Sequence, residues 1–249
     1  MVLKVLVACE ESQAVCKAFR ELGHEAYSCD IQECSGGNPE WHIKGDVLPI
    51  INGRCEFATM DGEKHAIDGK FDLIIAHPPC TYMSKAGARW MYPKAGIIDS
   101  DRYANAIKAK EFFMDIFAAE CDHIAIENPV PLKCVNLPKP AQKIQPYEFD
   151  EDDKHPYSKA TLLWLKGLPP LIKTTPNKKP ICTWMPSNTG GLSRGKGGSK
   201  GVAHDAKTAS KTFPGIAKAM ASQWSDILTK SQTTTRTQGT TFATIVVDV

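Results

Sequence analysis

Asp72-Leu-Ile-Ile-Ala-His-Pro-Pro-Cys80 joins a short apolar segment to an abrupt stop. Leu73 to Ala76 is continuously apolar, which is typical of a central parallel strand that is covered on both faces. Pro78 and Pro79 end the strand, because proline has no amide hydrogen to donate to a sheet. In an open parallel sheet the ligand crevice lies just beyond the carboxyl ends of the strands. The pattern therefore predicts that Cys80 lies where a substrate binds.

Alternatively, Cys80 is a small hydrophobic side chain buried in the core, which is where most unpaired cysteines lie. Its position after the strand favours a functional thiol, because cysteine is a common enzyme nucleophile. The nine cysteines of the chain are odd in number, widely spaced and never arranged as Cys-x-x-Cys. This spacing predicts reduced thiols, and neither a disulfide framework nor a zinc site.

The composition is that of an ordinary globular protein. The chain has 249 residues, 42% of them hydrophobic and 23% charged, with a net charge of +2. This length suits one generous domain, or one domain with an appendage. Met1 leads directly into the strand-like segment Leu3 to Val7, and no apolar run approaches the length of a membrane span. We therefore expect neither a signal peptide nor a membrane anchor, and a cytoplasmic location.

Strand-like and helix-like segments alternate along the chain, which predicts an α/β fold with a doubly wound, mostly parallel sheet and helices on both faces. The predicted strands are Val2–Ala8, His24–Cys29, a short third strand ending near Gly45–Leu48, Asp72–Ala76, His123–Ile126 and Ala160–Leu165, the last of them antiparallel. The predicted helices are Ser12–Leu22, Asn105–Ala119 and Pro214–Ile227. Residues 1–165 and the closing helix at 212–230 form the predicted core, 166–211 a basic loop, and 231–249 a tail.

The basic loop carries most of the charge asymmetry. From Lys166 to Lys218 the only acid is Asp205, and the loop is also rich in glycine. Such a segment is typical of a surface that binds a polyanion, and we expect Lys196 and Lys200 to contact phosphate. The alternative is a solvated loop that lysine keeps soluble.

Polar side chains follow successive predicted strands. The candidates are Cys9, Glu10, Glu11 and Ser12 after the first strand, Asp30 after the second, Asp46 after the third, and Glu127 with Asn128 after the fifth. Carboxylates at these points can accept hydrogen bonds from ribose hydroxyls or an adenine amino group. Each one alone could equally be a helix cap or a turn former. Together they predict a nucleotide-like cofactor at this edge of the sheet.

Several motifs resemble those of cytosine-C5 DNA methyltransferases, in particular short bacteriophage and prophage members. Pro78-Pro-Cys-Thr-Tyr-Met-Ser84 is similar to the family's Pro-Pro-Cys-Gln-x-x-Ser, and Ile126-Glu-Asn-Pro129 to its Glu-Asn-Val motif. Pro156 to Thr161 stands where the family carries Gln-x-Arg-x-Arg, with Lys159 in an arginine position. Thr212 to Met220 is similar to the closing Asn-x-x-Pro-Pro-x-x-Ala helix. The first loop, from Ala8 to Ala14, departs from the family's Phe-x-Gly-x-Gly-Gly.

The resemblance implies a Rossmann-like fold, S-adenosylmethionine as cofactor, DNA as partner and no metal. The implied cofactor-binding residues are Cys9, Glu10, Glu11, Ser12, Asp30, Ile31, Asp46, Val47 and Pro78. The implied nucleophile is Cys80, its thiolate aided by His77 or Lys85, with Glu127 on the cytosine and Asn128 fixing the loop. The implied substrate contacts are Ser84 and Lys159, and the basic loop adds Lys196 and Lys200 to the predicted substrate-binding residues.

The sequence is also compatible with other functions. The same chemistry could act on a free nucleotide, on RNA or on single-stranded DNA, because little of the chain is left for sequence recognition. A second class is a nucleic-acid-binding protein that has kept the fold and lost catalysis, which the altered first loop favours. A thiol enzyme without a methyl donor is a third, although no second cysteine lies at a resolving distance.

Overall fold

The computed structural model of the protein describes residues 1–186, 200–204, 208 and 210–238. The strands are β1 (Lys4–Ala8), β2 (Glu25–Asp30), β3 (His42–Lys44), β4 (Cys55–Ala58), β5 (Lys64–Ile67), β6 (Leu73–Ala76), β7 (Ile124–Pro129), β8 (Gln142–Ile144), β9 (Tyr157–Ser158), β10 (Thr161–Lys166), β11 (Cys182–Pro186) and β12 (Lys200–His204). The α-helices are α1 (Ala14–Glu21), α2 (Ala88–Met91), α3 (Ser100–Phe117) and α4 (Pro214–Gln238).

A seven-stranded sheet in the order β3-β2-β1-β6-β7-β10-β8 forms the centre of the molecule. Strands β1, β2, β3, β6 and β7 run parallel to one another, whereas β10 lies antiparallel between β7 and β8. This arrangement confirms the predicted Rossmann-like α/β fold and the predicted antiparallel strand. Since the five parallel strands end at one edge, the segments that follow them meet there.

Side chains alternate between two cores, because successive residues of a strand point to opposite faces. Leu6 and Ala8 of β1 belong to the core that α3 covers. Val5 and Val7 belong to the core that α1 and α4 cover. The parallel strands are therefore buried on both faces, as the continuous apolar run in β6 indicates.

One tryptophan anchors each core. Trp164 of β10 packs edge-on against Phe113 of α3, with ring centroids 5.1 Å apart, and its indole donates to the Pro138 carbonyl at 2.8 Å. Trp224 of α4 is fully buried and donates to the Pro169 carbonyl at 3.1 Å. Both rings thus bury a large apolar area while the polar N–H is satisfied.

The helices and the basic segment differ from their predicted bounds. Helix α3 begins at Ser100, because the Asp99 carboxylate caps it by accepting from the Arg102 amide at 2.8 Å. Helix α4 continues to Gln238, into the predicted tail. The segment predicted as a loop contains β11 and β12, which form a small parallel sheet with β9. Lys196 lies outside the described residues. The hairpin of β4 and β5 was not predicted.

Among the described residues, no helix combines the length and the apolar character that crossing a membrane requires.

Candidate active site

A cavity of about 480 Å³ lies beyond the carboxyl ends of the parallel strands. Its lining includes all nine predicted cofactor-binding residues, which are Cys9, Glu10, Glu11, Ser12, Asp30, Ile31, Asp46, Val47 and Pro78. Cys80, Glu127 and Lys159 line the same cavity. Asn128 and Ser84 are buried nearby, outside the lining. The side chain of Lys200 is outside the described part of the structure.

The first loop makes its turn without glycine. Cys9 and Gln13 both have φ of 58°, in the left-handed region that glycine usually occupies. This conformation costs a non-glycine residue about 1–3 kcal/mol and needs support from its surroundings. Gln13 has that support, because its buried side chain donates to the Asn38 carbonyl at 2.8 Å and accepts from the Asn38 amide at 3.1 Å. The loop therefore keeps two left-handed positions while its sequence departs from the glycine motif.

Glu10 has a structural partner at each carboxylate oxygen. These oxygens accept from the amides of Val15 and Cys16, at 2.7 and 3.1 Å, in the first turn of α1. A carboxylate here also favours the positive end of the helix dipole. Burial raises the pKa of Glu10, and the nearby His77 opposes that shift. Glu10 thus closes the start of α1 and lines the cavity at the same time.

Asp30 and Asp46 stand at the ends of β2 and β3 and share one local geometry. Asp30 Oδ1 accepts from the Gln32 amide at 2.9 Å, and Asp46 Oδ1 accepts from the Leu48 amide at 3.1 Å. These contacts hold each carboxylate in a turn. They also leave lone pairs on each group that can accept from a ligand in the cavity.

The segment after β6 is tied to β7. Asn128 is 2% exposed, and its amide nitrogen donates to the Pro78 carbonyl at 2.9 Å. The Cys80 carbonyl accepts from the amides of Met83 and Ser84, at 3.0 and 2.9 Å, which makes a tight turn after the cysteine. Asn128 thus fixes the start of the loop that carries Cys80, and the burial of Ser84 keeps its side chain away from the cavity.

The Cys80 thiol is in an environment that favours its protonated form. Burial raises its pKa, the charge of Glu127 raises it further, and Lys159 acts in the opposite direction. From the sequence we expected His77 or Lys85 to lower this pKa. Lys85 is instead exposed, and its amide is bonded to the Val130 carbonyl. Lys159 is the cation that acts on the thiol.

Glu127 is a buried carboxylate with a positively charged environment. Burial raises its pKa, but the hydrogen bond from His77, the charge of Lys159 and a hydrogen bond from Thr161 outweigh burial, so that the net pKa is lowered. The distance from His77 Nδ1 to Glu127 Oε2 is 3.3 Å. Glu127 is therefore held ionised, beside a thiol that is held protonated.

The segment before α4 supplies lining residues that sequence reasoning missed. Thr212 Oγ1 lies 3.5 Å from His77 Nδ1, and Lys211 Nζ donates to Ser35 Oγ at 3.2 Å. The Phe213 ring lies 5.6 Å from Lys159 Nζ, a cation–π distance. The similarity of residues 212–220 to a family motif is the sequence signal for this segment, although that motif predicts only the closing helix.

Comparisons with known proteins show a likeness to solved structures. No family model matches the chain, and no curated protein matches it. One solved structure that resembles it is an E. coli prophage protein, provisionally assigned as a DNA modification methyltransferase. The match covers 66% of this chain and 46% of that protein, with 13% identity and a TM-score of 0.39. The function proposed below therefore rests on the residues of this chain.

Proposed function

We propose that the protein is an S-adenosylmethionine-dependent methyltransferase that methylates C5 of cytosine in DNA through a covalent cysteine adduct. One observation carries the proposal: a thiol, a buried carboxylate and two turn-held aspartates line a single cavity at the carboxyl edge of the sheet. The thiol and Glu127 have the chemistry for the base, and the aspartates for a nucleoside.

The residues present fit the cofactor. The cavity volume of about 480 Å³ is in the range of small-molecule sites. Asp30 can accept from ribose hydroxyls and Asp46 from the adenine amine, while Ile31 and Val47 offer apolar walls. Ile31 is 77% exposed, so that its side chain is accessible to a ligand in the cavity. Glu11 supplies negative charge to a cationic ligand.

Cys80 and Glu127 divide the chemistry on the base. Cytosine C5 is a poor nucleophile, and addition of the Cys80 thiolate to C6 makes C5 enamine-like. The S–C6 bond forms as the C5=C6 π bond opens, and Glu127 stabilises the ring at N3 and the exocyclic amine. Lys159 lowers the pKa of the thiol and thus favours the attacking thiolate.

The cofactor supplies an electrophilic methyl group to C5. The C5 proton then leaves to water and the S–C6 bond breaks, which regenerates the Cys80 thiolate and restores the aromatic ring. Asn128 contributes indirectly, because its hydrogen bond to the Pro78 carbonyl fixes the loop that aims the thiol. A 1 Å displacement of a reacting group is enough to cost about 100-fold in rate.

A single-stranded acceptor is a second candidate, favoured by the surface that follows Cys80 along the chain. Tyr82 is 38% exposed and Trp90 58%, and each ring has an arginine over it: Arg102 at 5.2 Å from the Tyr82 centroid and Arg89 at 4.5 Å from that of Trp90. Exposed rings beside cations suit the stacking of unpaired bases. In duplex DNA the target base must first be flipped out, at a cost of a few kcal/mol.

The test is methyl transfer from labelled S-adenosylmethionine to duplex DNA, single-stranded DNA, RNA and dCMP in parallel. Label in 5-methylcytosine of duplex DNA supports the first proposal, and label confined to single strands supports the second. Absence of label in all four acceptors overturns the enzymatic proposal. It would favour a catalytically silent nucleic-acid binder with the same fold.

A further inference from the structure

His77 is a buried histidine whose ring joins the two halves of the cavity. It directly follows β6, and its backbone amide donates to the Ala8 carbonyl at the end of β1 at 2.9 Å. Nδ1 lies 3.3 Å from Glu127 Oε2, and the two side chains are only 9% and 14% exposed. Among the described residues, Nε2 is buried and has no hydrogen-bond partner. The ring thus pairs directly with the carboxylate assigned to the base.

Charged groups face His77 from every side of the site. Glu127 comes from β7, Glu10 from the loop after β1, and Lys159 from the segment between β9 and β10, while the Thr212 hydroxyl is a polar neighbour. Burial lowers the pKa of His77, but the hydrogen bond and charge of Glu127, with the charge of Glu10, outweigh burial and Lys159, so that the pKa is raised. Two carboxylates and one ammonium around one imidazole favour the imidazolium.

We propose that His77 and Glu127 share one proton, and that this is the proton which Glu127 presents to the ring nitrogen of the acceptor base. His77 is then a positioning residue that acts through Glu127. This inference rests on the proposed function, and it adds a source for the proton that a carboxylate held ionised does not itself carry.

One proton moves from the pair to the base and returns within each turnover. Before addition, His77 is an imidazolium and Glu127 a carboxylate, and the Cys80 thiol loses its proton to solvent. As S–C6 forms, negative charge develops at N3; Glu127 receives a proton from His77 Nδ1 and gives one to N3, which leaves a neutral imidazole and a neutral adduct. When S–C6 breaks after methyl transfer, N3 returns its proton to the pair. The regenerated Cys80 thiolate takes a proton back from solvent, so that the C5 proton is the only one released overall.

The pair itself is tested by an NMR titration of the imidazoles in the free protein. We expect the pKa of His77 to lie above the ordinary histidine value of about 6.5. Glu127→Gln removes the carboxylate charge and is expected to lower the His77 pKa. A His77 pKa at or below the ordinary histidine value, or a His77 titration that Glu127→Gln leaves unchanged, would overturn the pair. Assignment of the His77 signal comes from its loss in His77→Asn.

The catalytic consequence is tested with the same His77→Asn variant. The side-chain amide of the introduced asparagine can still donate to Glu127, but it cannot transfer a proton. We expect kcat to fall by about 100-fold or more, while KM for the cofactor stays within about twofold of the wild-type value. The change of kcat with pH that arises from titration of His77 should also be lost. Wild-type kcat and pH profile in a folded His77→Asn protein would overturn the proposal.

His123→Asn is the matched control. His123 Nδ1 pairs with the Asp72 carbonyl at 3.1 Å, outside the cavity lining, so that an asparagine can keep the contact. We expect the wild-type pH profile from this variant. If the wild-type protein transfers no methyl group at all, the proposed function is wrong, and the titration alone still decides whether the proton-sharing pair exists.

Discussion

At the scale of single residues, the chemistry of the cavity depends on how buried charges act on one thiol. Glu127 raises the pKa of Cys80 and Lys159 lowers it, while burial adds to the effect of Glu127. The free protein therefore keeps Cys80 largely as a thiol at neutral pH. A base bound against Glu127 would remove part of that opposition, and the nucleophile would be released only when a substrate is present.

This electrostatic balance predicts how fast Cys80 reacts with iodoacetamide. Because the thiolate is the reactive form, alkylation should increase about tenfold per pH unit below the Cys80 pKa. Glu127→Gln removes a charge that raises the pKa and should speed the reaction at fixed pH, whereas Lys159→Met should slow it. Mass spectrometry of the Cys80 peptide gives the rate.

Cys55 provides the internal control, because it lies in the β4–β5 hairpin and burial alone raises its pKa. Its alkylation rate should be the same in all three proteins. Cys80 alkylation rates equal to the wild-type rate in both variants, or changes of the opposite sign, would contradict the charges assigned to the surroundings of Cys80.

At the scale of elements, one hydrogen bond connects the two strand ends on which the proposed chemistry depends. Asn128 at the end of β7 donates to the Pro78 carbonyl after β6, and both groups are buried. Pairing of β6 with β7 would hold the two strand ends together without that bond. Strand pairing alone would not fix the position of the turn that carries Cys80. The bond therefore serves both stability and alignment.

Asn128→Ala tests this role. The substitution leaves the Pro78 carbonyl buried without its donor, and we expect the free energy of unfolding to fall by about 1–3 kcal/mol. Urea unfolding followed by circular dichroism measures the change. Asn105→Ala, on helix α3, is the comparison, with an expected change within about 0.5 kcal/mol. Equal stability of the two variants would show that the Asn128 bond contributes little.

Sequence patterns predicted which residues lie at the edge of the sheet better than they predicted which side chains contact one another there. Apolar runs and the residues after them predicted that Cys9, Asp30, Asp46 and Glu127 meet, because parallel strands end at one edge. The pairing of His77 with Glu127 joins residues 50 apart, and no local pattern encodes it. The role of Lys159 depends likewise on β10 folding beside β7. Both contacts depend on how strands distant in sequence pair with one another, and local secondary-structure propensity does not determine that pairing.

At the scale of the whole molecule, the net charge of +2 hides an uneven distribution, because Asp205 is the only acid from Lys166 to Lys218. Lys159 and Lys211 line the cavity, and the rings of Tyr82 and Trp90 lie on the segment that leads away from Cys80. Phosphate contacts would give affinity, and stacking would select unpaired bases. These two contributions can be separated by experiment.

The stacking contribution is tested with Trp90→Ala and a fluorescent oligo-dT strand, which contains no cytosine and needs no cofactor. Loss of one stacked base should weaken binding by about 5- to 150-fold, equivalent to about 1–3 kcal/mol. Binding of a duplex of equal length should change much less. Ile172→Ala, which removes a side chain that is 76% exposed, controls for general loss of surface. Unchanged oligo-dT affinity in Trp90→Ala would argue against the single-stranded acceptor.

The phosphate contribution is tested by neutralising Lys196 and Lys200 together. Each phosphate contact adds about 0.7–0.9 to the slope of log affinity against log salt. The double alanine variant should therefore flatten that slope by about 1.5 for a strand that both residues contact. A slope equal to that of the wild-type protein would show that these lysines do not bind phosphate.

The most direct test of the central claim is methyl transfer by the wild-type protein and by Cys80→Ser, measured as labelled 5-methylcytosine after nuclease digestion of the DNA. We expect label with the wild-type protein and none with Cys80→Ser, while S-adenosylmethionine binding, measured by calorimetry, stays within about threefold. Full activity in Cys80→Ser would contradict the covalent mechanism. Label in any position other than cytosine C5 would contradict the assigned reaction.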